Sequence, residues 1–240
     1  LVSVYGAHLH LAGLGGLPVS RPSPGAVHSG HLQNLKVSVI DELPTDIDAA
    51  KAQHRADARA NRDALGSGLG AAAAAGVAAR FMTSPELVER TGIGTVIAGY
   101  MPIGSEIDSR VLMERLAGRG SELCLPDVVA AEAPLQFRRW SANELLTAGA
   151  YGIPVPDADA DVMSPDLLLV PILAFDRHGF RLGYGGGFYD RTIARLRETQ
   201  GILTVGLAFS GQVRDDLPVG PHDMRLDWIV TESAALRVSG

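Results

Sequence analysis

The sequence predicts an α/β fold: a three-layer sandwich with a mostly parallel central sheet flanked by helices. Three observations carry that expectation. Short apolar runs alternate along the chain with stretches of helical period, the order that builds parallel strands with crossover helices. The run Leu167-Leu-Leu-Val170 is apolar at every position, as a strand covered on both faces must be. A glycine-rich segment then separates that run from a helical stretch, Tyr189 to Arg197. Open α/β sheets bind their ligands beyond such strand ends.

The elements follow in order. Residues 1–46 are rich in Gly, Pro, Ser and His and lack sustained periodicity. Val37 to Ile40 could be a short strand there. The segment is expected to be a disordered extension, or sequence upstream of the true start, and it lacks the basic start and long apolar run of a signal peptide. Residues 47–240 are expected to form a single α/β domain. Thr45-Asp-Ile-Asp48 offers an N-cap followed by first-turn acids, and Gly66 is expected to stop that helix at Leu65. Ala71 to Met82 is an alanine-rich helix, and Ser84-Pro85-Glu86 starts another, with Pro at the first helical position. Thr95 to Tyr100 reads as a buried strand. Ile107 to Leu116 is helical and ends at Gly118. Ser121 to Leu125 and Leu135 to Phe137 are strands, and Asn143 to Thr147 a short helix. Pro154 to Pro165 is a connecting loop. After the helix at Tyr189 come strands at Leu203 to Leu207 and Trp228 to Thr231.

Composition excludes several function classes. The chain has 240 residues, 46% of them hydrophobic, enough for one sizeable core. No uninterrupted apolar stretch approaches the ~20 residues of a membrane span. A net charge of −6 argues against a general nucleic-acid binder. The single cysteine, Cys124, excludes an internal disulfide and reads as a core thiol, so a reducing cytoplasm is the expected home. Only Lys36 and Lys51 are lysines, and neither follows a glycine, which excludes a Walker A loop. Phe188 stands where the third glycine of a dinucleotide fingerprint would fall. The histidines show no metal-site spacing.

What remains is Arg181-Leu-Gly-Tyr-Gly-Gly-Gly-Phe-Tyr-Asp190. Glycines let a backbone turn tightly and bring consecutive N–H groups onto an anion, and the following helix adds its positive end. A phosphate-bearing ligand fits this pattern; a plain turn is the alternative. Lys51, Arg55 and Arg59 share one helix face, as a solvated stripe or as phosphate ligands. Glu106 is a helix-start acid or a ligand-binding one. Asp190 and Asp223 are surface acids or hard-oxygen ligands for Mg²⁺. The strand ends at Tyr100 and Val170 should bring both loops to one edge of the sheet.

The segment Leu167 to Asp190 resembles the signature of the 5-formyltetrahydrofolate cyclo-ligase family. Lys51-Ala-Gln-His-Arg55 is similar to that family's basic helix, Tyr100 to Ser109 to its folate segment, and Pro218 to Asp227 to its last loop. The resemblance covers about residues 47–235. It implies an ATP-dependent cyclisation of 5-formyltetrahydrofolate to 5,10-methenyltetrahydrofolate. ATP phosphates would be held by Lys51, Arg55, Arg181, Leu182, Gly183, Tyr184, Gly185, Gly186, Gly187, Phe188 and Tyr189. Folate would be met by Met101, Glu106 and residues Tyr184 to Phe188. Glu106, Arg181 and Tyr189 would act in catalysis, and Asp190 and Asp223 would hold Mg²⁺. Some relatives carry basic residues within the glycine loop where this chain has Tyr184 and Gly186, so Arg181 and the helix basics are the candidate cations for the transferring phosphoryl. A monomer or weak homodimer is expected. The competing readings are a folate- or nucleotide-binding relative without this activity and a sugar-phosphate or CoA-handling enzyme on a similar sheet.

Overall fold

The structure is a computed structural model that describes residues 46–238. The expectations for the N-terminal extension, the strand at 37–40 and Thr45 as N-cap lie outside the described residues. The first element is a 37-residue helix, α1 (Asp46–Met82). It joins the two helices expected on either side of Gly66. The break instead falls at Gly70, with φ 23° and ψ −111°. Gly66 stays helical and serves a different purpose: a Cβ there would lie 2.8 Å from Ser105 Cβ, so only glycine permits this approach. By length and composition α1 could cross a membrane, but here Ala73, Val77, Ala78 and Phe81 along it are packed into the core.

The remaining elements are α2 (Pro85–Val88), β1 (Val96–Ala98), α3 (Arg110–Ala117), β2 (Glu122–Asp127), β3 (Gln136–Arg139), β4 (Thr147–Ala148), β5 (Pro154–Val155), β6 (Val162–Met163), β7 (Leu167–Pro171), β8 (Ala174–Phe175), β9 (Arg181–Leu182), α4 (Phe188–Thr199), β10 (Leu203–Leu207), β11 (Trp228–Val230) and β12 (Ala235–Arg237). Eight strands form one sheet in the order β12-β11-β10-β7-β1-β2-β3-β6. The central strands from β11 to β2 are parallel, and β12, β3 and β6 join by antiparallel pairing.

The side-chain alternation of β7 shows why the sheet needs two helix layers. Leu167 and Leu169 pack in one cluster with Val77 and Phe81 of α1 and Leu112 and Met113 of α3. Leu168 and Val170 pack in the other with Ile193 and Leu196 of α4. All four strand residues are wholly buried, each contributing about 1.5–3 kcal/mol through its apolar surface. The three-layer expectation therefore holds. The crossover through α3 leads from β1 to β2, and that through α4 leads from β7 to β10 in the opposite direction. Crossovers of one hand that step in opposite directions place their helices on opposite faces. The direction reverses between β1 and β7, and a crevice opens at their carboxyl ends.

Elsewhere three more expectations need correction, and one strand is additional. Asn143 to Thr147 is not a helix: Glu144 closes a turn by accepting the Ser141 N–H at 3.1 Å, and Thr147 enters a hairpin opposite Val155. The stretch Pro154 to Pro165 is more than a loop, because Val162–Met163 extends the main sheet beside β3. The chain does not run straight from β7 into the glycines. A β8–β9 hairpin intervenes, its turn made by Asp176 accepting the N–H groups of His178 and Phe180, each at 2.9 Å. The strand Ala235–Arg237 closes one edge of the sheet and was not expected. Each of these strands has two or three residues, too few to show an alternation.

Candidate active site

Beyond β1 and β7 lies a cleft of about 1040 Å³, lined from α1, the loop after β1, the glycine loop, the start of α4 and the loop before β11. Both predicted loops therefore reach the same edge. Apart from Arg59, every sequence-predicted site residue lines this one cleft: Lys51, Arg55, Met101, Glu106, Arg181, Leu182, Gly183 to Phe188, Tyr189, Asp190 and Asp223.

The glycine loop is shaped by two residues in the left-handed region, Gly185 at φ 103° and Gly187 at φ 66°. Gly185 also admits a neighbour, since a Cβ there would lie 3.1 Å from Arg55 Cζ. Arg55 Nε donates to the Gly183 carbonyl at 3.1 Å, tying the loop to α1. Gly187 caps α4, whose first intrahelical bond runs from Arg191 N to Gly187 O at 3.1 Å. The preceding N–H groups, of Phe188, Tyr189 and Asp190, stand at the open helix end, where the dipole favours anions.

Two acids are already held by cations. Lys51 Nζ sits 2.7 and 2.6 Å from the two carboxylate oxygens of Asp223, and the Gly220 N–H donates to the same carboxylate at 2.6 Å. Arg181 donates to Asp190 Oδ1 at 2.9 Å and to the Met224 carbonyl at 2.7 Å, and the Met224 N–H donates back to Asp190 Oδ1 at 2.9 Å. Arg181, with only 4% of its side chain exposed, thus ties Asp190 to the last loop. Asp190 Oδ2 has no hydrogen bond among the described residues, and no group of three or more potential metal ligands occurs among them. Two carboxylates, one in the first turn of α4 and one on the loop before β11, suit Mg²⁺, which keeps several waters and takes few protein ligands.

On the other wall Glu106 is buried, with 2% of its side chain exposed. Burial raises its pKa, opposed by the Ile103 N–H at 2.8 Å and by Arg62. Arg62 reaches Glu106 Oε1 at 3.4 Å, Ser105 Oγ at 3.1 Å and the Tyr184 hydroxyl at 2.6 Å. Arg59 and Arg62 each place a guanidinium 5.4 Å from the Tyr184 ring, a cation–π distance. Burial pushes the hydroxyls of Tyr100 and Tyr189 well above their usual range, so both are neutral donors. Met101 is buried in the cleft lining.

Sequence reasoning missed Arg62 and Tyr151. Arg62 continues the stripe of Lys51, Arg55 and Arg59 by one more turn, and that spacing was a usable signal. Tyr151 is the one non-glycine residue among those described with positive φ, 57°, and its ring stands edge-on to Phe188 at 6.1 Å. No periodicity marks it. Cys124 lies in the sheet with its thiol pushed up to about 12 by burial, away from the cleft lining, as expected of a core thiol.

The family profile described as "5-formyltetrahydrofolate cyclo-ligase family" matches residues 47–232. A 5-formyltetrahydrofolate cyclo-ligase of Mycolicibacterium smegmatis is 34% identical over 145 residues, covering 58% of this chain and 74% of that protein. One of Escherichia coli K12 is 34% identical over 161 residues, covering 65% of this chain and 86% of that protein. The solution structure of an Aquifex aeolicus 5,10-methenyltetrahydrofolate synthetase superposes with a TM-score of 0.65 at 28% identity, over 79% of this chain and 93% of that one.

Proposed function

This chain belongs to the 5-formyltetrahydrofolate cyclo-ligase family, and we propose how its cleft divides the labour of that family's reaction. The enzyme converts 5-formyltetrahydrofolate and ATP to 5,10-methenyltetrahydrofolate, ADP and phosphate. The formyl oxygen is a poor leaving group. Transfer of the γ-phosphoryl onto that oxygen turns it into a phosphate ester. The N10 lone pair then attacks the formyl carbon, the C–O bond breaks with its electron pair leaving on phosphate, and the N10 proton passes to the departing phosphate.

Such a reaction needs positioning and charge neutralisation more than covalent help from the protein. The backbone N–H groups at the glycine loop and the start of α4 receive phosphate oxygens, with Lys51 and Arg55 supplying positive charge. Arg181 works indirectly, by fixing Asp190 and the last loop. Asp190 and Asp223 would hold Mg²⁺, which supplies further neutralisation of phosphate charge. For that, Lys51 must exchange its Asp223 partner for phosphate. The Glu106 carboxylate accepts hydrogen bonds from N–H groups on the reduced pterin edge, and Met101, Tyr184 and Phe188 cover the ring. Tyr189, a neutral hydroxyl at the helix start, donates toward the transferring group.

One observation carries this reading: a glycine loop at a helix start and a buried carboxylate line one cleft. The test is the near-ultraviolet absorbance of the methenyl product. Purified protein should generate it from 5-formyltetrahydrofolate only with ATP and Mg²⁺. Equal turnover without ATP, or none under any condition, would sink the assignment. The same assay separates the enzyme from a folate- or nucleotide-binding relative and from a sugar-phosphate or CoA-handling enzyme.

A further inference from the structure

Arg62 is buried, 2% exposed, at the junction of three segments that the reaction must bring together. Its Nε donates to Ser105 Oγ at 3.1 Å, its Nη1 to Glu106 Oε1 at 3.4 Å and its Nη2 to the Tyr184 hydroxyl at 2.6 Å. Ser105 and Glu106 belong to the loop after β1, and Tyr184 to the glycine loop. We propose that Arg62 is a positioning residue: it grips Glu106 with one nitrogen and Tyr184 with another, so that the folate-facing acid and the phosphate-holding loop are held as one unit.

The burial pattern supports this. A guanidinium this enclosed is tolerated only when its donors are satisfied, and here they go to two separate ligand-binding loops. A planar fork with several fixed donors can span two acceptors, as a lysine cannot. The groups facing Glu106 from each packed element are Arg62 on α1, Tyr100 and the Ile103 N–H on its own loop, Tyr184 on the glycine loop and Tyr189 on α4. Of these only Arg62 carries charge. Burial pushes the Glu106 carboxyl up, and Arg62 pulls it back toward the ionised form. Asp63 fixes the other side of the junction by accepting from Ser105 Oγ.

The inference rests on Glu106 meeting folate as an ionised acceptor, so the test reads folate binding rather than turnover. Calorimetric affinity for 5-formyltetrahydrofolate without ATP is measured against pH for the wild type, Arg62→Met, Arg62→Gln and Arg62→Lys. Binding weakens as pH falls through the folded-state pKa of Glu106. Removing a cation within about 4–6 Å raises a carboxyl pKa by about 1–3 units. The acidic limit of binding should therefore move to higher pH by that amount in the methionine and glutamine variants and stay near the wild type in the lysine variant. The glutamine variant keeps polar capacity and decides the matter if the methionine variant does not fold. ATP affinity with and without folate gives the second readout: the gain that folate confers on ATP should fall in all three variants, because none spans both partners. An acidic limit unmoved in the neutral variants, or moved equally in the lysine variant, overturns this inference alone. A wild type that binds no folate overturns the proposed function as well.

Discussion

Lys51 and Arg55 share a helix face but have different partners. Lys51 is paired with Asp223 at 2.6 Å, whereas Arg55 holds the Gly183 carbonyl at 3.1 Å beside the loop it serves. Replacing either by alanine should weaken ATP binding by about 1.5–3 kcal/mol, the range for a charge-assisted hydrogen bond. Isothermal titration with ATP measures this, and unchanged affinity would return both residues to a solvated stripe. Asp190→Asn and Asp223→Asn should each raise the Mg²⁺ concentration for half-maximal rate, because a neutral amide lacks the charge that a hard cation selects. Asp227 is the control. Its carboxylate is bonded to Arg197 at 2.9 Å and to the Thr204 N–H and hydroxyl at 2.8 and 2.7 Å. Asp227→Asn should therefore leave the Mg²⁺ dependence alone. If it shifts that dependence and Asp223→Asn does not, the second acid has been placed wrongly. These residue types were legible as a set from the glycine segment and the basic stripe. Their present partners were not, because Asp223 is 172 positions from Lys51 along the chain.

At the scale of the element, α1 does two jobs. Its first half carries the basic stripe and packs Ala58 against Leu173, Ala174 and Leu182 of the hairpin region. Its second half fills one face of the sheet. Gly66 and Gly68 lie in the same helix yet should answer differently to alanine. A Cβ on Gly68 meets nothing within 4 Å, so Gly68→Ala should stabilise the protein by about 0.5–1 kcal/mol through helix propensity. A Cβ on Gly66 would lie 2.8 Å from Ser105 Cβ and must displace the loop that carries Glu106. Gly66→Ala should raise the KM for folate while leaving that for ATP nearly unchanged. Urea denaturation and steady-state kinetics on the two variants check both halves of this contrast. A Gly66→Ala enzyme with wild-type folate KM would show that the loop moves without consequence. Sequence alone made Gly66 a helix stop, since glycine is the usual residue just past a helix end. The packing partner that gives it another purpose lies about forty residues on.

For the whole molecule, the sheet is a single core covered on both faces, and its opening can be timed from inside. Cys124 is wholly buried with its thiol pushed up to about 12, so almost no thiolate exists in the native state. A thiol reagent should label it only when the sheet unfolds. Leu168→Ala, which empties a fully buried site on the same face of the sheet, should cost about 2–5 kcal/mol. The equilibrium loss from urea denaturation should reappear as faster labelling. Rapid labelling of the unmutated protein would mean that the strand Glu122–Asp127 opens locally.

Local chemistry determined the larger part of this protein. The all-apolar run Leu167 to Val170 demanded a two-sided core, and the glycines before α4 demanded a tight turn into a helix start, because both follow from neighbouring residues. The family signature lies in that same stretch. Only the tertiary structure decided the rest. It brought Arg62 onto Glu106 and Tyr184, joined Arg181 to Asp190 and the last loop, and paired Lys51 with Asp223. It also added the short strands Val162–Met163 and Ala235–Arg237 to the edges of the sheet. Two or three residues carry no periodicity, and an ion pair across a cleft has no spacing along the chain. Both exist only once the fold has brought distant segments within hydrogen-bonding distance.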